Sequence, residues 1–293
     1  MPVPLHNNVT IDLQANTVTT CDSDVTRLII TMLGFYLPSL WSHFHSISYY
    51  IIDLLAGGRK DVKSLWTLSQ ACKYMVPLCR KHFFSSLCVG SNSKSVGFSN
   101  WLLKNPDIAR YMKSLYYGVY CIPSSGHGLN ILNVLKKYSS LMSIVQFVLL
   151  SSRDFGWNNL TDSIWSSLVS LIQLPTVSSL GIYSFNGFPA TALSECGNLI
   201  NLCLGELSLA YAEVNQVISH SKIPTLVSLY INTDTCGLAA LLNSASLHAG
   251  GPIVNFSHLQ KAKFHVQSSD DIDQVNELIR VTTQLEYLQI SGE

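Results

Sequence analysis

Short apolar phrases of constant spacing recur through the second half of the chain. The clearest phrase is Leu226, Leu229 and Ile231, in which an anchor residue is followed by apolar residues three and five positions later. Six more segments carry this spacing, with anchors at Met112, Ile144, Val177, Leu199, Leu259 and Leu285. Apolar residues two apart indicate a strand that buries one face. Each phrase therefore predicts one short strand with an apolar anchor before it.

The distance between the phrases indicates how the strands assemble. The steps from one anchor to the next are unequal, but all of them fall in the range typical of repeat proteins. A recurrence of this length predicts a solenoid, because a single unit cannot bury its own apolar strand face and needs a stacked neighbour. Two intervals, 212–219 and 270–281, also carry apolar residues at helical spacing, and Asp270 and Asp271 suit a helix start. The predicted unit is a strand, a turn, a helix and a second turn.

The L-x-x-L-x-L spacing resembles the leucine-rich repeat family over residues 109 to 293. The resemblance implies an α/β fold, with a curved parallel sheet on the inside of the stack and helices on the outside. Unit length varies here, and the Asn or Cys that usually follows the third leucine in this family is mostly missing. An ordinary α/β domain with parallel strands is the alternative, because alternating strands and helices produce much of the same pattern.

Alternation within the predicted strands selects candidates for partner binding. Positions two, four and six after each anchor face away from the leucines and would line the concave side. Aromatic and polar residues on one face suit recognition of a protein target. The candidates are Tyr116, Tyr183, Tyr230, Asn232, Lys261, Lys263, His265, Tyr287 and Gln289, with Ser179, Gly181, Asn201, Cys203 and Ser228 on the same face. A solvated sheet face without a partner is the alternative interpretation.

A compact helical region precedes the repeats. Apolar residues recur at helical spacing over 47–55, and Gly57 then predicts the helix end. Asp61 suits the cap of a second helix, and a third is predicted over 75–84 with Pro77 in its first turn, where a missing N–H costs little. The predicted organisation is a disordered or poorly packed segment at 1–43, a three-helix module at 44–90 and the repeat domain at 91–293.

The helical module carries a motif in three parts. These are Ile51, Ile52, Asp53 and Leu54; then Ser64, Leu65, Leu68 and Cys72; then Pro77, Arg80, Lys81, His82, Phe83 and Phe84. Together they resemble the F-box motif of fungal F-box proteins, particularly those of mushrooms. The next segment resembles the same proteins through Phe98, Leu102, Pro106, Ile108, Ala109, Tyr111, Ser114 and Leu115.

The F-box resemblance implies binding without catalysis. An F-box packs against a Skp-type adaptor, which tethers the protein to a cullin in an SCF-type ubiquitin ligase, while the repeat domain holds an unknown protein substrate. The candidates for adaptor contact are Ile51, Leu54, Leu65, Leu68 and Cys72. Ordinary helix core is the alternative for each of them. The implied location is the cytoplasm or the nucleus.

One position departs from the F-box family. The family opens with Leu-Pro shortly before the Ile-Ile-Asp triplet, whereas Phe44 and His45 stand there in this chain, and the upstream Leu37 and Pro38 come too early. One interpretation is that the motif has lost adaptor affinity, which leaves a repeat-based binding scaffold. The other is that the residues before about Ser48 come from a misread exon boundary.

Composition limits the remaining functions. Charged residues are sparse at 12%, and 18 basic residues balance 18 acidic ones. A neutral chain has no electrostatic reason to bind nucleic acid or an anionic membrane surface. The eight cysteines include no C-x-x-C pair, so we expect neither a zinc site nor a cofactor. Motifs typical of hydrolases, nucleotide-binding enzymes and zinc proteases are missing from the sequence, so we expect no enzymatic activity.

An apolar stretch at 28–52 raises the question of a membrane anchor. It contains no Asp, Glu, Lys or Arg. A membrane span needs about 20 apolar residues, and Pro38 and several Ser and His residues interrupt this stretch. The sequence favours a buried or poorly packed helix here, with a membrane-anchored repeat protein as the less favoured alternative.

Overall fold

A computed structural model describes residues 62–71, 76–90, 94–119, 127–151, 156–206, 209–210, 223–232, 238, 241–242 and 253–292. The chain divides into two compact units, Met1–Ser86 and Leu87–Glu293. The segment predicted at 1–43, the apolar stretch at 28–52 and the helices predicted at 47–55 and 212–219 lie outside the described residues. No helix in the described part of the chain is long and apolar enough to cross a membrane.

The described part of the first unit holds two helices, α1 (Val62–Ala71) and α2 (Val76–Phe83). Both lie where the sequence predicts helices. Pro77 is the second residue of α2, a position at which its missing N–H has no intrahelical acceptor to lose. The ring of Trp66 meets the ring of Phe83 edge to face, with 6.0 Å between the centroids, so an aromatic contact joins the two helices.

An open sheet of eight strands forms the framework of the second unit. The strands lie side by side in the order β1 (Ser86–Gly90), β2 (Ser114–Val119), β3 (Gln146–Ser151), β4 (Ser179–Tyr183), β6 (Asn201–Gly205), β8 (Ser228–Asn232), β9 (Lys261–Val266) and β10 (Tyr287–Gly292). Two short strands, β5 (Phe188–Pro189) and β7 (Leu209–Ala210), form a separate parallel pair.

Helices alternate with several of the strands. They are α3 (Lys94–Lys104) between β1 and β2, α4 (His127–Lys137) between β2 and β3, α5 (Asp162–Ile172) between β3 and β4, and α6 (Ser269–Val281) between β9 and β10. Short 3-10 turns lie at Pro106–Tyr111, Ser139–Leu141, Trp157–Asn159 and Ala190–Leu193. The crossing from β4 to β6 contains β5 and one of these 3-10 turns in place of an α-helix.

The strand register confirms the spacing of the apolar phrases. From β2 to β10 every pairing is parallel, and the residues three after each anchor form one row, which is Leu115, Phe147, Leu180, Leu202, Leu229, Ala262 and Leu288. The residues five after each anchor form a second row, which is Tyr117, Leu149, Ile182, Leu204, Ile231, Phe264 and Ile290. From β2 to β9 both rows are at most 1% exposed. Burial of each large side chain contributes roughly 1.5–3 kcal/mol, so the two rows form the main core.

The two apolar rows become solvent-exposed at β10, which is one of the two edge strands of the described sheet. Leu288 is 38% exposed and Ile290 is 50% exposed, although both continue the buried rows. The architecture is therefore a mixed α/β fold with an open parallel sheet whose strands follow chain order, consistent with a solenoid-like stack.

An eighth copy of the phrase lies at β1, within the segment 44–90 that the sequence predicts to be the helical module. Phe84, Leu87 and Val89 repeat the anchor spacing, and the step from Phe84 to Met112 is intermediate in length among the steps between the other anchors. Leu87 and Val89 are buried, and β1 is hydrogen-bonded to β2. The sheet therefore starts inside the segment predicted as the end of the 44–90 module.

Candidate binding face

The sheet face opposite the leucines, here called the polar face, carries three rows of residues. The middle row is Tyr116, Val148, Gly181, Cys203, Tyr230, Lys263 and Gln289. The row before it is Ser114, Gln146, Ser179, Asn201, Ser228, Lys261 and Tyr287. The third row is Gly118, Leu150, Tyr183, Gly205 and Asn232, and His265 and Ser291 are paired at its far end. All nine candidates for partner binding lie on this face, and their role in binding stays a prediction.

Accessibility differs along the polar face. Val148 is buried at 7% exposure, and the backbone around Gly181 and Gly205 is buried too. Lys261 is exposed, and Tyr287 is 53% exposed. The end of the polar face at β9 and β10 is therefore its most accessible part.

Tyr183 lies across neighbouring strands near the centre of the polar face. Its hydroxyl is 2.8 Å from Cys203 Sγ. A Cβ added at Gly205 would stand 2.5 Å from Cδ1 of the Tyr183 ring, and one added at Gly181 would stand 3.0 Å from its Cε2. A side chain at position 205 would displace the Tyr183 ring, and one at position 181 would press against the same ring.

The Tyr183 and Cys203 pair is uncharged at neutral pH. Burial raises the pKa of the Tyr183 hydroxyl, and the charge of a Cys203 thiolate would raise it further. Burial also raises the pKa of Cys203 to about 11, and the hydrogen bond with Tyr183 opposes this rise. Because the thiolate is the reactive form of cysteine, Cys203 is a poor nucleophile at neutral pH. The pair therefore contributes packing and a hydrogen bond to the surface.

Three basic side chains define one end of the polar face, all on β9: Lys261, Lys263 and His265. Lys263 Nζ stands 5.2 Å from the centroid of the Tyr230 ring, which is a cation–π contact. His265 Nδ1 lies 3.4 Å from Ser291 Oγ. The ring of Tyr230 and the hydroxyl of Ser291 thus orient two of the three basic groups.

Gln146 on β3 accepts two hydrogen bonds at the opposite end of the polar face. Its Oε1 accepts hydrogen bonds from Ser114 Oγ at 3.2 Å and from the Tyr116 hydroxyl at 3.5 Å. Gln146, Gly205 and Ser291 are not among the candidates predicted from the sequence. Each lies two or six residues after an anchor, so the alternation that selected the other candidates would also have found these three.

The candidates for adaptor contact are described in part. Leu65 and Leu68 lie on α1, and Leu65 is buried at 3% exposure. Ile51, Leu54 and Cys72 lie outside the described residues, as does the side chain of Leu68. A contact between these residues and an adaptor stays a prediction.

The described residues contain no group of three or more His, Cys, Asp or Glu side chains that could hold a metal ion. The four cysteines in this part of the chain, Cys79, Cys88, Cys196 and Cys203, are free thiols. The polar face carries hydroxyl, amide, aromatic, amine and thiol groups, together with the apolar side chains of Val148 and Leu150.

A scan against protein-family models finds no match to this chain, and a search of curated proteins finds no significant match.

Proposed function

We propose that this chain is the substrate-recognition subunit of a cullin-based, SCF-type ubiquitin ligase and binds a protein target on a leucine-rich repeat sheet. The observation that carries the proposal is the register of the seven predicted strands, which aligns the two apolar rows on one face of the sheet and three further rows on the opposite face. Such a preformed surface loses little conformational entropy when it binds a partner.

We assign adaptor binding to the helical module. Helices α1 and α2 occupy the part of the chain whose residues resemble the F-box, and this position supports the assignment. A receptor of this type needs no catalytic group. Holding a lysine of the target near a charged conjugating enzyme raises its effective concentration, and this is enough to promote ubiquitin transfer.

Adaptor binding is the direct test of the ligase role. The full chain, mixed with a Skp-type adaptor at micromolar concentration, should form a complex that survives size-exclusion chromatography. Leu54→Asp should abolish the complex, because an apolar interface cannot hydrate a carboxylate. The matched control is Leu103→Asp on α3, where Leu103 is 42% exposed, and this variant should bind normally. A wild-type chain that binds no adaptor would remove the ligase role.

A repeat-based scaffold without adaptor binding is the second candidate function. Its motivation is the pair Phe44 and His45, which stands where the F-box family has Leu-Pro. The double variant Phe44→Leu/His45→Pro separates the two candidates. Adaptor binding by the double variant alone would support a scaffold that has lost adaptor affinity, whereas binding by both proteins would support the receptor.

A further inference from the structure

We propose that the polar face at β8, β9 and β10 binds an extended acidic segment of a partner protein, with Lys261 and Lys263 contacting its carboxylates. The inference rests on the proposed function in one respect, namely that the polar face is the surface that binds the target. It adds the chemical class of the target.

Charge is unevenly distributed on this face. From β2 to β10, the two lysines on β9 are the formally charged residues in the three described rows, and these rows hold no Asp or Glu. The whole chain, by contrast, balances 18 basic residues against 18 acidic ones. The described rows therefore carry two positive charges and no negative one at β9, on a protein of zero net charge, and these charges favour an anionic partner.

The two lysines have no ionic partner within the described part of the chain, where the ion pairs join Arg110 to Asp107 and Arg280 to Glu277. Their lateral neighbours in the sheet are all neutral: Ser228, Tyr230, Tyr287 and Gln289. An incoming carboxylate would thus gain a lysine contact without displacing an existing ion pair.

The spacing of the lysines points to an extended ligand. Lys261 and Lys263 are two residues apart on one strand, so their side chains leave the same face roughly 7 Å apart. Alternate residues of an extended peptide have the same spacing and also point to one side. A segment with acidic residues at alternate positions therefore matches both lysines at once.

Two tyrosines flank the lysines on the neighbouring strands. Tyr230 on β8 lies beneath Lys263, with 5.2 Å from Nζ to the ring centroid. Tyr287 on β10 is 53% exposed, and its hydroxyl donates a hydrogen bond to Gln289 Oε1 at 3.0 Å. Aromatic rings provide apolar contact area for the methylene groups of acidic side chains, and Tyr and Lys together can contact both parts of a Glu.

A protein segment fits this surface better than a nucleic acid does. Typical DNA-binding proteins neutralise roughly 6–10 phosphates with basic residues, whereas two lysines stand on this face. The amides of Asn232 and Gln289 lie on the same face and can pair with peptide N–H and C=O groups.

Fluorescence anisotropy with labelled peptides and the full chain tests the inference. The probe is a short peptide of alternating Glu and Ser, compared with peptides in which Gln or Lys replaces every Glu. The Glu peptide should bind, and the Gln and Lys peptides should bind about two- to thirtyfold more weakly, as expected for the loss of two surface ion pairs. Lys261→Gln/Lys263→Gln should weaken binding of the Glu peptide by a similar factor.

A second lysine pair on α4 provides a matched control. Lys136→Gln/Lys137→Gln removes the same charge, and Lys137 Nζ also stands over a tyrosine, 5.4 Å from the Tyr138 ring centroid. This variant should bind the Glu peptide as the wild type does. Equal loss in both double variants would overturn the inference, because net charge alone would then explain binding. Stronger binding of oligothymidylate of equal charge would also overturn it.

Failure of this inference is distinguishable from failure of the proposed function, because the peptide assay contains no adaptor. A chain that binds the Glu peptide but no adaptor would support the acidic target and remove the ligase role. A chain that binds the adaptor but not the Glu peptide would keep the ligase role and overturn the acidic target.

Discussion

At the scale of single residues, Tyr183 makes position 205 intolerant of a side chain. We predict that Gly205→Ala destabilises the fold by about 1–3 kcal/mol, because its Cβ would stand 2.5 Å from the Tyr183 ring and would overpack the site. Urea denaturation measures the loss. Gly97→Ala is the control: its Cβ meets nothing within 4 Å, and it should stabilise α3 by about 0.5–1 kcal/mol.

A double variant tests whether Tyr183 causes the effect at position 205. Combining Tyr183→Ala with Gly205→Ala removes the ring that the new Cβ would meet. The double variant should lose less stability than the sum of the two single variants, since contacting residues are not additive. Additive losses would contradict the proposed clash.

We predict that the buried thiol of Cys196 makes the fold less stable at alkaline pH. Burial, with a smaller effect from Glu195, raises its pKa from 9.0 to about 12. Between these values the unfolded chain has lost the proton and the folded chain keeps it. The stability contributed by this thiol is therefore complete below pH 9 and is lost as the pH rises through that interval.

Urea midpoints of wild type and Cys196→Ala across this pH interval check the prediction. The variant should show a shallower decline because position 196 no longer titrates. Cys88→Ala, at an exposed position on β1, should keep the wild-type slope more closely. Identical slopes for wild type and Cys196→Ala would contradict the role of the buried thiol.

Sequence alternation predicted which residues share the polar face but not how they touch. The contact of Tyr183 with Cys203 depends on the register between β4 and β6, which are separate segments of the sequence joined by a crossing. A period of two assigns a residue to a face, whereas a cross-strand contact also needs the neighbouring strand. The same limit applies to the hydrogen bonds of Gln146.

At the scale of elements, α6 starts with a capping box whose loss should be measurable. Ser268 Oγ accepts a hydrogen bond from the Asp271 N–H at 3.3 Å, and Asp271 Oδ2 accepts from the Ser268 N–H at 2.9 Å and the Gln267 N–H at 2.6 Å. We predict that Asp271→Ala lowers the free energy of unfolding by about 1–2 kcal/mol. Thermal and urea denaturation should both report the change.

The neighbouring Asp270 provides the control for this cap. Asp270 is exposed, whereas Asp271 is buried at 4% exposure. Asp270→Ala should cost under about 1 kcal/mol, because it removes a favourable charge near the helix N-terminus but no backbone partner. Equal losses at the two positions would show that charge, and not the capping bonds, starts the helix.

The spacing of apolar residues predicted the strands and the helix at 270–281 better than it predicted the connections between strands. The helix predicted at 270–281 is observed as Ser269–Val281, because its apolar spacing and acidic start agree. The crossing from β4 to β6 departs from the predicted unit, since the step from Val177 to Leu199 is the shortest between anchors and leaves little room for a helix. Trp157 and Phe188, whose ring centroids are 4.7 Å apart, pack outside the repeat spacing, so periodicity could not reveal their contact.

At the scale of the whole molecule, one repeat position has different environments at the centre and at the edge. Leu229 is 1% exposed, and its counterpart Leu288 on β10 is 38% exposed. We predict that Leu229→Ala costs about 2–5 kcal/mol, whereas Leu288→Ala costs under about 1.5 kcal/mol. Urea denaturation of the two variants measures both losses. Equal losses would mean that the edge at β10 is covered in solution.

The order of the strands is predictable from the sequence, because each strand needs an adjacent strand to bury its apolar residues. A stack of such units buries the apolar rows when consecutive strands are adjacent, and the sheet from β2 to β10 has that order. Strand β1 was not predicted, because Phe84 also belongs to the helical motif. Its phrase, Phe84, Leu87 and Val89, has the same spacing as the others.

The constant register between strands also bears on how a gene for such a protein can change. Recombination that adds or removes one complete unit would leave the flanking strands with matching rows, since each inner strand of the sheet pairs only with the strand on either side of it. The strands keep one spacing while the steps between anchors are unequal, so the differences in length between units lie in the crossings. The number of units therefore sets the extent of the polar face, whereas single substitutions change its chemistry.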